Sequence, residues 1–200
     1  MLFVMMASRA YLDTESTLIG GNMTAREAGP APNWQQEILP ILKQFDVKHV
    51  VYVPDAGHSA AIRSAEQDNS IVSLALTTEE EGIGYLAGAW LGGERGALLM
   101  QSSGVGNCLN TLALQTMTRF PLLMLVTMRG DWAEFNPWQN PMGQATEAAL
   151  KLMGVRTWRA DKPQDVAPLV HGAATMAFNG DEACAVLLGQ SLIGEKKWVK

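Results

Sequence analysis

Residues 70–107, SIVSLALTTEEEGIGYLAGAWLGGERGALLMQSSGVGN, carry the pattern that decides the fold. The segment opens with a short apolar run at 70–76, suited to a strand. A helix-length stretch of small and apolar residues follows at 79–91, and a second continuous apolar run lies at 97–102. Strands that are apolar throughout, joined by a helix of this length, belong to a parallel sheet covered on both faces. Outward from this unit the alternation continues. On the amino side, 34–45 has helical spacing through Ile38, Leu42 and Phe45, and HVVYVP (49–54) is a β-branched strand followed by a helix at 58–67. On the carboxyl side come a helix at 105–117, a strand at 121–127, a long polar loop, a helix at 143–152, the short VRTWR segment, a helix at 163–178 and a strand at 183–189. No strand alternates apolar with polar residues, as an open antiparallel sheet would require. The pattern predicts an α/β fold, an open doubly wound sheet of about six parallel strands flanked by helices. The predicted domain spans 34–192, with 1–33 as a tail or arm, rich in Gly, Pro and Ala near its end, and 193–200 as a C-terminal tail.

Forty-eight per cent of the 200 residues are apolar, enough for a substantial core, and the net charge of −5 argues against nucleic acid as a partner. Cys108 and Cys184, both within apolar runs, read as buried free thiols and not as a disulfide framework or metal site. The apolar N-terminal residues lack the basic start of a secretory signal, and no apolar run is long enough to span a bilayer. The expected location is cytoplasmic, without a membrane.

In a doubly wound sheet, ligands bind beyond the carboxyl ends of the strands. That singles out residues 54–58, 77–81, 102–107 and 127–143. The triplet Glu79, Glu80, Glu81 opens a helix, and Thr78-x-x-Glu81 fits a capping box. Yet Gly84, Gly88 and Gly92 recur every fourth residue along that helix, and each interior glycine costs roughly 0.8–1 kcal/mol relative to alanine. A second helix packed close against the bare stripe, at a subunit interface, would offset the cost. Gly104-x-Gly106 follows the wrong strand for a dinucleotide fingerprint and has Leu109 where the third glycine belongs; its glycines still let backbone approach a planar or anionic ligand. Asp55 reads as a helix cap. His58 is a substrate-side candidate. Arg129 could grip an anion with its guanidinium fork. The loop GDWAEFNPWQNPMGQ, with two indoles, reads as a lid or an interface.

The ordered string TTEEEGIGYLAGAWLGG, GALLMQSSGVGNCLNTLALQT, FPLLMLVTMRGDW and NPMGQ resembles the pyrimidine-binding domain of thiamine-diphosphate-dependent decarboxylases. The likeness is greatest to the α subunits of sulfopyruvate decarboxylase and the matching half of phosphonopyruvate decarboxylase, and it covers about 34–192. Glu79 and Gly88 match a glutamate that stands nine residues before a glycine in that family. The resemblance implies that Glu79 hydrogen-bonds N1′ of the aminopyrimidine and so helps to remove the thiazolium C2 proton. It implies a cofactor pocket of Val53, Pro54, Glu79, Ser102, Ser103 and Gly104, with Asn107, His58, Arg129 and Gln139 toward the substrate. The family's GDG…N motif, which holds magnesium and the diphosphate, does not occur here; NGDEAC (179–184) lacks the following glycine. The chain is therefore expected to bind no metal itself and to pair with a β subunit that supplies Mg2+ and the diphosphate site, in a hetero-oligomer of αβ pairs. Three readings follow: a 2-oxo-acid decarboxylase subunit acting on a sulfonated or phosphonated substrate, a carboligase or lyase subunit with a bulkier substrate, or a non-catalytic α/β module.

Overall fold

The computed structural model describes residues 33–195, so the expectations for the N-terminal arm and the last five residues lie outside the described residues. The elements run α1 (Trp34–Gln44), β1 (Val47–Tyr52), a 3-10 turn (Ala56–His58), α2 (Ser59–Gln67), β2 (Val72–Ala75), α3 (Glu79–Leu91) and β3 (Arg95–Gln101). They continue α4 (Ser102–Cys108), α5 (Leu112–Thr118), β4 (Leu122–Thr127), a 3-10 turn (Pro137–Gln139), α6 (Asn140–Leu152), β5 (Arg156–Ala160), α7 (Pro163–Gly180), β6 (Ala183–Leu188) and α8 (Gln190–Ile193).

All six strands are parallel, in the order β2-β1-β3-β4-β6-β5. The chain steps outward from β1 to β2 and then crosses back to β3 on the other side of β1. The crevice of such a sheet therefore opens above the ends of β1 and β3. Alternate residues of the continuous apolar strands feed two separate cores. Leu99, Leu123 and Leu125 pack with Ile38 and Leu42 of α1, Ile62 of α2 and Val166 of α7. Leu98, Met100, Leu122 and Met124 pack with Ile83 of α3, Val105 of α4, Leu112 of α5 and Leu150 of α6. This is why β3, β4 and β6 read as unbroken hydrophobic runs: neither face meets water, whereas the edge strands β2 and β5 are partly exposed.

The helix predicted at 105–117 is in fact two. α4 begins at Ser102, directly off β3, and a break at 109–111 precedes α5. Across the break the chain makes three-residue turns, Ala113 N–H to Asn110 O (3.2 Å) and Leu114 N–H to Thr111 O (3.0 Å). Thr111 stands at the start of α5 without a side-chain cap, so the backbone turns alone make the join. The helix predicted from 143 begins earlier, at Asn140, with Pro141 in its first turn, where a missing N–H costs nothing. Among the described residues no helix is long and apolar enough to cross a membrane.

The glycines of α3 lie on two faces. A Cβ at Gly82 would stand 2.6 Å from Leu98 Cδ1 and 2.9 Å from Leu76 Cδ1, so this glycine lets the helix lie close on the sheet. A Cβ at Gly84 or Gly88 would meet nothing within 4 Å. No helix of this chain among the described residues covers that side, where Leu91, one turn on from Gly88, is 88% exposed.

Candidate functional site

The three glutamates at the start of α3 have three different environments. Glu81 turns back along the chain and accepts the Thr77 N–H at 2.9 Å, and Glu80 accepts the Thr78 hydroxyl. The reciprocal capping box expected from Thr78 and Glu81 is therefore not formed, because the Thr78 hydroxyl is spent on Glu80 and Glu81 reaches one residue further back. Glu79 alone points inward and is 8% exposed. Its carboxyl lies across the bare Cα of Gly104 in the first turn of α4: a Cβ there would fall below 3.0 Å from Oε1, Cδ and Cγ of Glu79. Asn107, one turn further along α4, donates from Nδ2 to Glu79 Oε2 at 2.8 Å. Oε1 accepts no hydrogen bond among the described residues, which leaves one carboxyl oxygen for a ligand. The strand ends thus bring together Glu79, Gly104 and Asn107 from segments 25–28 residues apart in sequence.

Several other predicted site residues are committed to the scaffold. Ser102 is fully buried, and its hydroxyl both donates to Arg129 O (3.1 Å) and accepts the Arg129 N–H (3.0 Å), pinning the start of α4 to the end of β4. Its side chain is therefore not open to a cofactor, contrary to the expectation. His58, expected on the substrate side, has 0% exposure and donates from Nε2 to Leu125 O at 3.1 Å. Burial pushes its imidazole below the ordinary value, against the opposing pull of Asp55. It is a neutral group of the interior and not a ligand-facing one.

Arg129, expected as an anion receptor, is likewise engaged within the chain. Its Nε and Nη2 donate to Glu134 Oε2 and Oε1 at 2.6 and 2.8 Å, a fork-to-fork pair with both side chains buried. Glu134 also accepts from Asn136 N–H (3.0 Å) and Gln190 Nε2 (2.8 Å). Burial alone would raise the Glu134 carboxyl, but Arg129, the Asn136 N–H and Gln190 outweigh it and hold it down at about 2. The long loop is thus wrapped around one glutamate, leaving Trp132 and Trp138 exposed. Gln139 closes that loop on its return, with its backbone carbonyl packed under Gly130.

Val53 and Pro54 lie half-buried just past β1, and the Val53 N–H donates to Leu99 O at 3.3 Å. Ser103 is half-buried in the first turn of α4, and its hydroxyl donates to Gln101 Oε1 at 3.5 Å. Asp55 joins a polar cluster that sequence spacing does not reveal. Asp55 makes no side-chain cap; its 2% exposed carboxylate accepts Gln101 Nε2 and Thr127 Oγ1, each at 2.6 Å. Polar residues at three strand ends could have signalled this cluster, but only once strand adjacency was known.

Residues 33–146 match the family model described as thiamine pyrophosphate enzyme, N-terminal TPP binding domain. Sulfopyruvate decarboxylase subunit alpha of Methanococcus maripaludis is 32% identical over 157 residues, which cover 78% of this chain and 94% of that protein. The same subunit of Methanocaldococcus jannaschii is 33% identical over 151 residues, covering 75% and 89%. A phosphonopyruvate decarboxylase of Streptomyces viridochromogenes is 35% identical over 118 residues, 58% of this chain but 30% of that protein. Among solved structures, 2-oxoglutarate:ferredoxin oxidoreductase from Magnetococcus marinus superposes with a TM-score of 0.61 at 13% identity. The superposition covers 90% of this chain and about a third of that one (34%), a likeness of fold alone.

Proposed function

We propose a function from one premise: the chain belongs to the thiamine pyrophosphate enzyme family, as its N-terminal cofactor-binding domain. It is the α subunit of a heteromeric 2-oxo-acid decarboxylase and binds the pyrimidine half of thiamine diphosphate. The observation that carries this reading is Glu79, a nearly dry carboxyl seated on Gly104 with one oxygen steadied by Asn107 and the other unbonded. The residues fit the group: a flat heteroaromatic ring with a ring nitrogen suits a cleft of bare backbone and one available carboxyl oxygen.

When bound, thiamine diphosphate supplies the electron sink that lets a 2-oxo acid lose carbon dioxide. This chain's residues would act on the pyrimidine. Glu79 would hold a proton at Oε1 against the ring nitrogen, in a site where exclusion of water strengthens the bond. Asn107 would keep the carboxyl from rotating away. Val53, Pro54, Ser103 and the backbone at Gly104 would line the ring.

The diphosphate and Mg2+ fall to a partner β subunit. The absence of a GDG…N motif in the sequence and the uncovered Gly84–Gly88 side of α3 both favour that division. The relatives named sulfopyruvate and phosphonopyruvate decarboxylase favour a 2-oxo acid with a distal anion. One observation favours the second reading, a carboligase or lyase with a bulkier, less charged substrate: Arg129 is bound to Glu134, while Trp132 and Trp138 stand exposed on the same loop.

The test is co-expression with the partner chain and comparison with Glu79→Gln. Loss of turnover in an assembled complex supports the assignment, and near-normal turnover defeats it. A panel of sulfonated, phosphonated and uncharged 2-oxo acids separates the two substrate readings.

A further inference from the structure

Asp55, Gln101 and Thr127 follow or end β1, β3 and β4, three strands adjacent in the sheet at the crevice end. Asp55 is buried, and its two oxygens are divided between Gln101 Nε2 and Thr127 Oγ1. The backbone is cut away to permit this: a Cβ at Gly57 would stand 2.7 Å from Thr127 Cγ2 and 2.9 Å from Asp55 Oδ2. Gln101 is half-buried, and it immediately precedes α4, whose Gly104 seats Glu79. It is the point at which a buried network reaches the crevice.

An amide has two faces, a donor NH2 and an acceptor carbonyl, and in isolation it can present either. A carboxylate only accepts, so Asp55 draws the Gln101 NH2 to itself and turns Oε1 away, where it accepts from Ser103 Oγ at 3.5 Å and keeps a second lone pair. Resting on the function proposed above, we propose that Asp55 is a positioning residue that locks the Gln101 amide in one orientation, making Gln101 a ligand-facing acceptor for an N–H or O–H of the bound cofactor or substrate. Thr127 sets the register of the lock by occupying the second Asp55 oxygen.

The test is a reciprocal swap in the αβ complex loaded with thiamine diphosphate. In Asp55→Asn the oxygen can still accept from Thr127, but an NH2 now faces Gln101, whose amide must flip and present its donor to the crevice. In Gln101→Glu two carboxylates oppose each other. In the double variant the glutamate accepts from the asparagine NH2 and again presents an oxygen to the crevice, with net charge unchanged.

Each single variant is expected to lose roughly 10–100-fold in kcat, the scale of a charge-assisted hydrogen bond. The double variant is expected to recover most of that loss, with calorimetric affinity for thiamine diphosphate following the same order. Losses that add in the double variant, wild-type turnover in Asp55→Asn, or failure of Asp55→Asn to fold and assemble would each overturn the inference. Glu79→Gln, run in parallel, separates the two levels. Retained turnover there defeats the functional reading itself. An inactive Glu79→Gln beside an unrescued swap defeats only the role of Asp55.

Discussion

Gly104→Ala probes the seat of Glu79 without touching the carboxyl itself. A methyl at this position would lie below 3.0 Å from three Glu79 atoms, whereas ordinary van der Waals contact begins at 3.4 Å. Glu79 has to retreat, because the methyl stands on a helix backbone fixed by the Ser102–Arg129 pair and cannot move away. The retreat breaks the 2.8 Å bond from Asn107 and turns Oε1 out of its place. Misplacing a reacting group by about 1 Å can cost on the order of 100-fold in rate. The stability effect is small by comparison, since alanine in a helix gains roughly 0.8–1 kcal/mol over glycine and offsets part of the strain. The assay is steady-state carbon dioxide release by the αβ complex, with a thermal melt alongside. The expected result is an assembled, folded complex with turnover down about 100-fold. Turnover above half of wild type would refute the argument that Glu79 acts from this seat.

Other outcomes follow from the same geometry. Gly88→Glu should leave the isolated chain folded, because a Cβ there meets nothing within 4 Å, yet it should prevent assembly with the partner by size-exclusion chromatography; normal assembly would move the interface off α3. The Glu134 carboxyl lies at about 2 in the folded chain against an ordinary 4.5, so its contribution is complete above pH 4.5 and is lost as pH falls toward 2. That depression corresponds to about 3 kcal/mol at most, and Glu134→Gln should lower the melting temperature at pH 7 while flattening the acid limb seen in Trp132 and Trp138 fluorescence; an unchanged melt would contradict it. Burial pushes both Cys108 and Cys184 up to about 12, so neither thiol should react with a disulfide reagent at pH 8 before unfolding, and prompt labelling of the native chain would be the adverse result.

The fold was legible because the inner strands β3, β4 and β6 are buried on both faces, which writes them as continuous apolar runs that no amphipathic helix would imitate. What escaped was a helix break without a periodic signal and contacts between distant segments. The break at 109–111 hides inside an apolar stretch, since Leu109 and Leu112 continue the helical spacing across it. Glu79 was legible only through the match of Glu79 and Gly88 to the family pattern, since the triplet alone reads as a helix start. The positions of His58 and Arg129 were not, because a histidine or arginine past a strand reads the same whether it faces the crevice or the interior. Glu134, which claims the Arg129 fork, lies five residues on in a loop without periodicity. Asp55 looked like a cap until the ends of β3 and β4 brought Gln101 and Thr127 to it.

The central claim is that the inward carboxyl of Glu79 helps to remove the cofactor's C2 proton. The direct measurement is hydrogen–deuterium exchange at C2 of thiamine diphosphate bound to the αβ complex, followed by quenched-flow NMR for wild type and Glu79→Gln. Exchange slowed by roughly 100-fold or more in the variant, with cofactor still bound, is the expected result. Equal exchange rates in the two proteins would contradict it.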